Sequence, residues 1–144
     1  MCLDANKANP LVGRHRIRPD SKGRIKGWKC YEITNRRLYS ICQCTAFSVR
    51  NGWLVSNRKH KTAGADPLDM DYGGTVEINR GIHVCLTKKE AETWNRHSCD
   101  NRVVVPVYGY KSSLVAVESF NLSPCAVFMR VFLYKKDYDK AVGR

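Results

Sequence analysis

The chain has 144 residues, 43% of them hydrophobic, and a formal net charge of +12 at pH 7. This length and composition predict one globular domain and exclude a chain that is disordered throughout. No apolar run approaches the roughly 18–20 residues of a membrane-spanning helix, and the first ten residues lack the apolar stretch of a secretory signal, so we expect a cytosolic protein without membrane contact.

The positive charge is concentrated in the first half of the chain. Residues 1–61 contain 14 Lys/Arg and three Asp/Glu, a net charge of +11, whereas residues 62–144 contain 11 and 10, a net charge of +1. A one-sided field of this kind attracts polyanions. The asymmetry therefore predicts an acidic partner, either nucleic acid or an acidic protein surface, although basic charge that serves no binding role is the alternative.

Residues 1–27 are predicted to form a basic arm. Prolines and glycines interrupt this segment, and it shows neither helical nor strand periodicity. The alternating residues 14–18 are compatible with an edge strand, with an extended arm along a phosphate backbone, or with a solvated tail.

From Trp28 to residue 144 the sequence predicts a single globular unit. Residues 28–33 and 38–42 have the alternation of paired strands, with a turn at Asn35–Arg37, and a further strand follows the Asn51–Gly52 turn. Residues 56–75 are polar and rich in turn formers, which predicts a long loop. Two short strands are then expected between residues 76 and 86.

One short helix is predicted over residues 88–96, because Thr87 and Glu90 have the spacing of a capping box. Strands follow at 103–108, 113–117 and 126–133, the last being the longest apolar run and therefore expected to be central. Pro106 indicates an edge or a bulge, and residues 136–142 have the pattern of a terminal helical turn. The predicted fold class is α+β, a mostly antiparallel sheet with one packed helix.

Basic and aromatic residues alternate through the first half of the globular part. Exposed aromatic rings flanked by Lys or Arg stack bases while the cations hold phosphates, although most strand aromatics are core residues. The aromatic residues in question are Trp28, Tyr31, Tyr39, Phe47 and Trp53. The residues predicted to neutralise phosphate or carboxylate groups are Arg14, Arg16, Arg18, Arg24, Arg36, Arg37, Arg58, Lys59 and Lys61.

The seven cysteines are scattered and odd in number, which favours free thiols in a reducing compartment. Cys85 and Cys125 have apolar neighbours and are predicted to be core residues. Close Cys/His pairs also raise a zinc hypothesis, since two pairs brought together supply four ligands. Those weak candidates are Cys42, Cys44, His83, Cys85, His97 and Cys99. Ordinary buried cysteines are the competing interpretation, and no cofactor is predicted.

Two other chemistries have weaker support. A cysteine nucleophile needs a base, and His60, His83 and His97 lack any local signature of that role. Asp66, Asp69 and Asp71 lie close together but lack the calcium-loop spacing, which favours solvated turn residues.

The run GIHVCLTKKEA at residues 81–91, followed by VVVPVY, LVAV and AVFMRVFL, resembles small accessory proteins of tailed bacteriophages. This resemblance covers residues 76–135 and implies a host-takeover, anti-defence or virion role, in the host cytoplasm or in the virion. The same order of elements also resembles the C-terminal half of ADP-ribosyltransferase-like folds. The chain departs from that comparison where the chemistry would lie. It has no Ser-Thr-Ser stretch, no early strand with a nicotinamide-clamping Arg or His, and no well-placed catalytic Glu, Glu118 being the only candidate after the helix, so no catalytic residue is predicted.

The leading hypothesis is therefore a small basic phage-type protein that binds nucleic acid or an acidic host protein. A virion structural component and an ADP-ribosyltransferase-like enzyme are the alternatives.

Overall fold

The computed structural model describes residues 4–6, 9, 11, 13, 17–40, 53–55, 68–72, 75–78, 81–95, 101–118 and 124–143. Its strands are β1 (Asp4–Asn6), β2 (Arg24–Thr34), β3 (Arg37–Ser40), β4 (Trp53–Val55), β5 (Leu68–Tyr72), β6 (Thr75–Ile78), β7 (Ile82–Cys85), β8 (Arg102–Tyr110), β9 (Leu114–Val117), β10 (Cys125–Phe128) and β11 (Arg130–Phe132). Its helices are α1 (Lys88–Asn95) and α2 (Lys135–Val142).

The predicted α+β class is confirmed. Every strand pair within the described residues is antiparallel. A large sheet has the order β4-β11-β8-β2-β7-β10-β9 with β3 added beside β2, and a small sheet has the order β1-β6-β5. Two helices are described where the sequence predicted one, because the expected terminal turn continues into the eight-residue helix α2.

Several segment boundaries differ from the prediction. Residues 24–27, assigned to the arm, begin strand β2, and β1 lies inside the same predicted arm. Strand β5 lies in the segment 56–75 that was expected to be a loop. Residues 24–27 and β1 are ordered by pairing with strands far along the chain, β8 and β6, which the local sequence pattern does not indicate. Strand β5 is instead ordered by pairing with the next strand, β6.

Two described residues of the predicted arm lie against the rest of the protein. Ile17 packs on the main core. A Cβ atom added to Gly13 would lie 2.4 Å from the carbonyl oxygen of Glu118, so the backbone at Gly13 runs directly beside the end of β9. The segment is thus held at these points and is not a freely solvated tail there.

The large sheet curls on itself. The predicted strand 126–133 is divided at Met129 into β10, which pairs with β7 and β9, and β11, which pairs with β8 and β4. These partners lie in different halves of the strand order. A single residue joins β10 to β11, so the two halves must bend toward each other and enclose an interior.

Two glycines allow side chains to pass close to the backbone inside this curl. A Cβ atom on Gly109 of β8 would lie 2.4 Å from the Phe128 ring, and one on Gly27 of β2 would lie 2.1 Å from a methyl group of Val84. Both distances are far below van der Waals contact. Glycine therefore fits at these positions because another side chain already fills the volume, from the neighbouring strand β7 at Gly27 and from β10 across the curl at Gly109.

The interior and the outer face have separate cores. Residues at odd positions of β2 and β8, among them Ile25, Tyr31 and Val107, join the interior cluster with Phe128 and Leu133. Residues at even positions point outward, as strand alternation requires. Part of this outer face packs against α1 in a second cluster with Ala91 and Trp94.

Helix α1 begins at Lys88 as predicted. The hydroxyl oxygen of Thr87 accepts a hydrogen bond from the backbone N–H of Glu90 at 3.3 Å, which is the expected cap. At the other end, the Arg102 guanidinium donates to the carbonyl of Trp94 at 2.8 Å and ties the helix to β8. No helix in the described part of the chain is long and apolar enough to cross a membrane.

Pro106 lies on β8 opposite Trp28 of β2. On the other side of β8, the pairing with β11 includes Tyr108 and Gly109 and does not extend to Pro106. The predicted edge or bulge is therefore met only locally: β8 lies between β11 and β2 in the strand order and has a regular register with β2, but its described pairing with β11 stops short of Pro106.

Candidate nucleic-acid interface

A row of aromatic and basic residues crosses the outer face of three adjacent strands. Lys26 of β2 lies opposite Tyr108 of β8, and Tyr108 lies opposite Phe132 of β11. Residues directly opposite one another in antiparallel strands project to the same face. We call this surface the aromatic-basic face; its members are Arg24, Lys26, Trp28, Tyr108, Phe132, Tyr134 and Lys136.

The rings of this face contact one another edge to face. The ring centres of Tyr108 and Tyr134 are 5.5 Å apart, and those of Phe132 and Tyr134 are 4.9 Å apart. All three residues are partly exposed. Such mutual packing fixes the ring orientations while it leaves ring surface in contact with solvent.

Each of three cations lies over an aromatic ring. The guanidinium carbon of Arg24 is 5.4 Å from the Tyr108 ring centre, the Lys26 ammonium is 5.2 Å from Trp28, and the Lys136 ammonium is 5.6 Å from Tyr134. These distances are within the range of cation–π attraction. The face therefore presents positive charge directly beside its rings.

Arg24 is held in place by further bonds. Its Nη1 donates to the Tyr134 hydroxyl at 2.7 Å, and its Nε donates to the Asp20 carboxylate at 2.8 Å. The backbone N–H of Arg24, together with its guanidinium, holds the pKa of Asp20 below its ordinary value. Asp20 thus stays ionised and offsets much of the Arg24 charge, while Lys26 and Lys136 are exposed.

The predicted basic residues do not form one surface. Arg24 lies on the aromatic-basic face, whereas Arg36 and Arg37 lie at the β2–β3 turn, separated from it by a strand about 30 Å long. Arg18 is exposed in the segment before β2. The remaining predicted residues lie outside the described part of the chain: Arg14, Arg16, Arg58, Lys59 and Lys61.

The predicted aromatic set is also divided. Trp28 lies on the aromatic-basic face, at its border with the cluster under α1. Tyr31 is 0% exposed and belongs to the interior core, so a base-stacking role for it is wrong. Tyr39 is partly buried on β3, and Phe47 lies outside the described residues.

Sequence reasoning missed Tyr108, Phe132, Tyr134 and Lys136. The sequence feature that could have indicated the three aromatic residues is a spacing of two, between Tyr108 and Tyr110 and between Phe132 and Tyr134. Residues two apart in an extended strand project to the same face. Which strands become neighbours is a property of the register, and the sequence pattern does not contain it.

The zinc hypothesis finds no support among the described residues. His83 and Cys85 lie on β7, and the described part of the chain contains no group of three or more metal-ligating side chains. The other candidates, Cys42, Cys44, His97 and Cys99, lie outside it. Of the acidic residues, Asp69 and Asp71 lie on β5 and Asp66 is outside the described range.

Glu118 follows β9, where its backbone N–H donates to the carbonyl of Cys125 at 3.0 Å. The residue is 3% exposed. A carboxylate buried to this extent does not face a substrate in solution, which weakens the case for it as the catalytic residue of a transferase.

His83 is a partly buried titratable group. Its Nε2 atom is buried without a hydrogen-bond partner, and its carbonyl oxygen accepts a bond from the Lys29 ammonium at 2.9 Å. Burial, reinforced by the charge of Lys29, lowers the pKa of His83 to about 3.

Acidification below pH 6.5 is expected to destabilise the protein through His83. The unfolded chain protonates this residue at its ordinary pKa of 6.5, whereas the folded protein keeps it neutral down to about 3. The free energy of unfolding should therefore fall by up to about 1.4 kcal/mol per pH unit in this window. Urea unfolding of wild type and His83→Leu from pH 8 to pH 4 measures the effect. Equal pH slopes for the two proteins would contradict it.

No protein-family model, curated protein or solved structure matches this chain. The resemblances to phage accessory proteins and to ADP-ribosyltransferase-like folds therefore stay predictions.

Proposed function

We propose that this protein binds single-stranded nucleic acid across the aromatic-basic face. The observation that carries the proposal is the row of Lys26, Tyr108 and Phe132 on three adjacent strands, with a cation over each of three neighbouring rings. Ring surface and positive charge in one place are what base stacking and phosphate neutralisation require.

The charge of the whole molecule supports a polyanionic ligand. The net charge of +12 draws nucleic acid toward the protein at long range. At the face itself, Asp20 neutralises Arg24. Among the described contacts, no carboxylate pairs in this way with the exposed ammonium groups of Lys26 and Lys136. Long lysine side chains can swing from a ring to a phosphate without disturbing the sheet.

The aromatic content favours single strands over duplex. Bases inside a duplex are stacked on each other, so they cannot stack on protein rings, whereas an unpaired strand presents each base in turn. Neighbouring strands of the sheet lie about 4.8 Å apart, so the rings on β8 and β11 are spaced closely enough to contact successive bases. The resemblance to phage proteins suggests that this binding serves host takeover or anti-defence in a host cytoplasm.

The test measures fluorescence anisotropy of labelled single-stranded DNA, single-stranded RNA and duplex DNA of equal length over a salt series. Tyr108→Ala should weaken single-strand binding about 5- to 150-fold, because one base loses its stacking partner. Lys26→Ala should reduce the slope of log K against log salt by about 0.7, the value for one phosphate contact on a single strand.

Matched variants separate the face from general charge and from misfolding. Tyr108→Phe keeps the ring and should bind as wild type. Arg37→Ala removes one positive charge at the far end of β2 and should leave the affinity within about twofold, since it is beyond a Debye length of about 10 Å from the face at 0.1 M salt.

Binding of no nucleic acid at low salt would overturn the proposal and direct the search to an acidic host protein. Equal binding of duplex and single strands, with no effect of Tyr108→Ala, would rule out base stacking.

A further inference from the structure

Cys85 and Cys125 face each other across a strand pair. Cys85 ends β7 and Cys125 begins β10, and the register makes them direct partners. Their sulfur atoms are 3.9 Å apart, and the Cys125 thiol donates a hydrogen bond to the Cys85 sulfur. Both residues are free cysteines.

We infer that Cys85 and Cys125 form a redox-active dithiol that closes to a disulfide bridging β7 and β10 when a hydroperoxide oxidises it. A disulfide requires Cα atoms about 4.4–6.8 Å apart, which direct antiparallel partners satisfy. The sulfur atoms then approach from 3.9 Å to about 2.05 Å, a movement that small side-chain rotations can supply.

The surroundings assign different roles to the two sulfurs. The hydrogen bond from Cys125, aided by the charge of Lys29, lowers the pKa of the Cys85 thiol against the opposing effect of burial. The same bond, together with burial, raises the pKa of the Cys125 thiol. Cys85 is thus the nucleophile, and Cys125 is the resolving thiol.

The reaction balances in two steps. The Cys85 thiolate attacks one oxygen of hydrogen peroxide, the O–O bond breaks, and a sulfenic acid and one water form after proton transfer. The Cys125 sulfur then attacks the Cys85 sulfur, the S–O bond breaks, and the second water leaves with the Cys125 proton. Two thiols lose two electrons in total, and the peroxide gains them.

The site is closed to large reagents. Cys85 is 3% exposed and Cys125 is 4% exposed, in the cluster that lies under α1. This burial favours an oxidant as small as hydrogen peroxide over a bulky disulfide such as oxidised glutathione. The third described thiol, Cys30, is also buried, and burial raises its pKa, so it is the less reactive neighbour.

Peptide mapping identifies the bond directly. Trypsin releases Cys85 in residues 81–88, Cys125 in residues 112–130 and Cys30 in residues 30–36, and each of these peptides contains one cysteine. The purified full chain is treated with hydrogen peroxide, its remaining thiols are blocked with N-ethylmaleimide under denaturing conditions, and the digest is analysed without reduction. We expect the 81–88 and 112–130 peptides linked, with a mass two hydrogens below their sum, and their release by dithiothreitol.

A second measurement does not depend on whether the oxidant can reach the buried thiols in the folded protein. Reduced, unfolded protein is refolded in a glutathione redox buffer, where every thiol is exposed before the chain folds. The same linked peptide should predominate, and the thermal midpoint of the oxidised protein should exceed that of the reduced one by about 5–10 °C, because the bond closes a loop of 40 residues. Cys85→Ser should abolish both results, whereas Cys30→Ser should leave them unchanged.

The inference is overturned by either of two results. One is that both peptides carry N-ethylmaleimide after peroxide treatment and after redox refolding. The other is that Cys85 is linked mainly to Cys30 or to another cysteine.

Discussion

Replacing Phe128 by alanine should lower the free energy of unfolding by about 3–5 kcal/mol, the range for a large aromatic side chain removed from a tightly packed core. Phe128 is 0% exposed and is among the largest fully buried side chains described. Its ring lies against Gly109 on the opposite side of the curled sheet. Alanine would therefore leave a cavity in the interior, between β10 and β8. Urea unfolding monitored by circular dichroism measures the loss.

Phe132→Ala is the matched control for this change. The same residue type lies four positions later, on the outer face of the same bent segment, and it is partly exposed. Its truncation should cost less than about half as much, because water can occupy the space that the ring leaves. Equal losses for the two variants would contradict the assignment of interior and outer faces.

Replacing Gly109 by alanine should lower the free energy of unfolding by about 1–3 kcal/mol or more, because the added methyl group overpacks the interior. The new Cβ atom would lie 2.4 Å from the Phe128 ring, so the ring or the strand must move. Thermal or urea unfolding of the single variant measures this cost.

A double-mutant cycle shows whether the cost arises from that contact. In a Phe128→Leu background the smaller side chain leaves room for the methyl group, so Gly109→Ala should destabilise the protein by less than it does in wild type. Additive losses would indicate that the cost arises elsewhere, for instance in the backbone preference of β8.

The sequence predicted those parts of the candidate site that depend on neighbouring residues, and it did not predict those that depend on contacts between distant parts of the chain. The charge asymmetry and the capped helix are local, so the sequence singled out Arg24 as a basic residue and correctly predicted the start of α1 at Lys88. The binding role of Arg24 stays a prediction. The partners of Arg24 are not local: Tyr134 is 110 residues away in the chain. No periodicity within a strand indicates which distant strand will pair with it.

The division of the apolar segment 126–133 illustrates the same limit. Its apolar residues are largely buried, since Cys125 through Phe128 and Val131 are, but the expectation of one central strand is wrong, because β2 holds the middle of the strand order. The bend at Met129 is decided by pairing, because β10 and β11 take their partners from opposite halves of the strand order. The same pairing brings Cys125 against Cys85, a contact that the sequence did not predict: it gave both as core residues and Cys85 also as a weak zinc candidate.

The sequence by itself determined the α+β class, the basic balance of the first half, the position of α1 and the buried character of most apolar residues. Each of these depends on composition or on short periodic patterns, which act over one or two turns of helix or one strand. The tertiary structure alone decided the curl of the sheet, the aromatic-basic face and the facing thiols. These depend on register between strands far apart in the chain, where the packing of the whole core selects one pairing among many with similar local patterns.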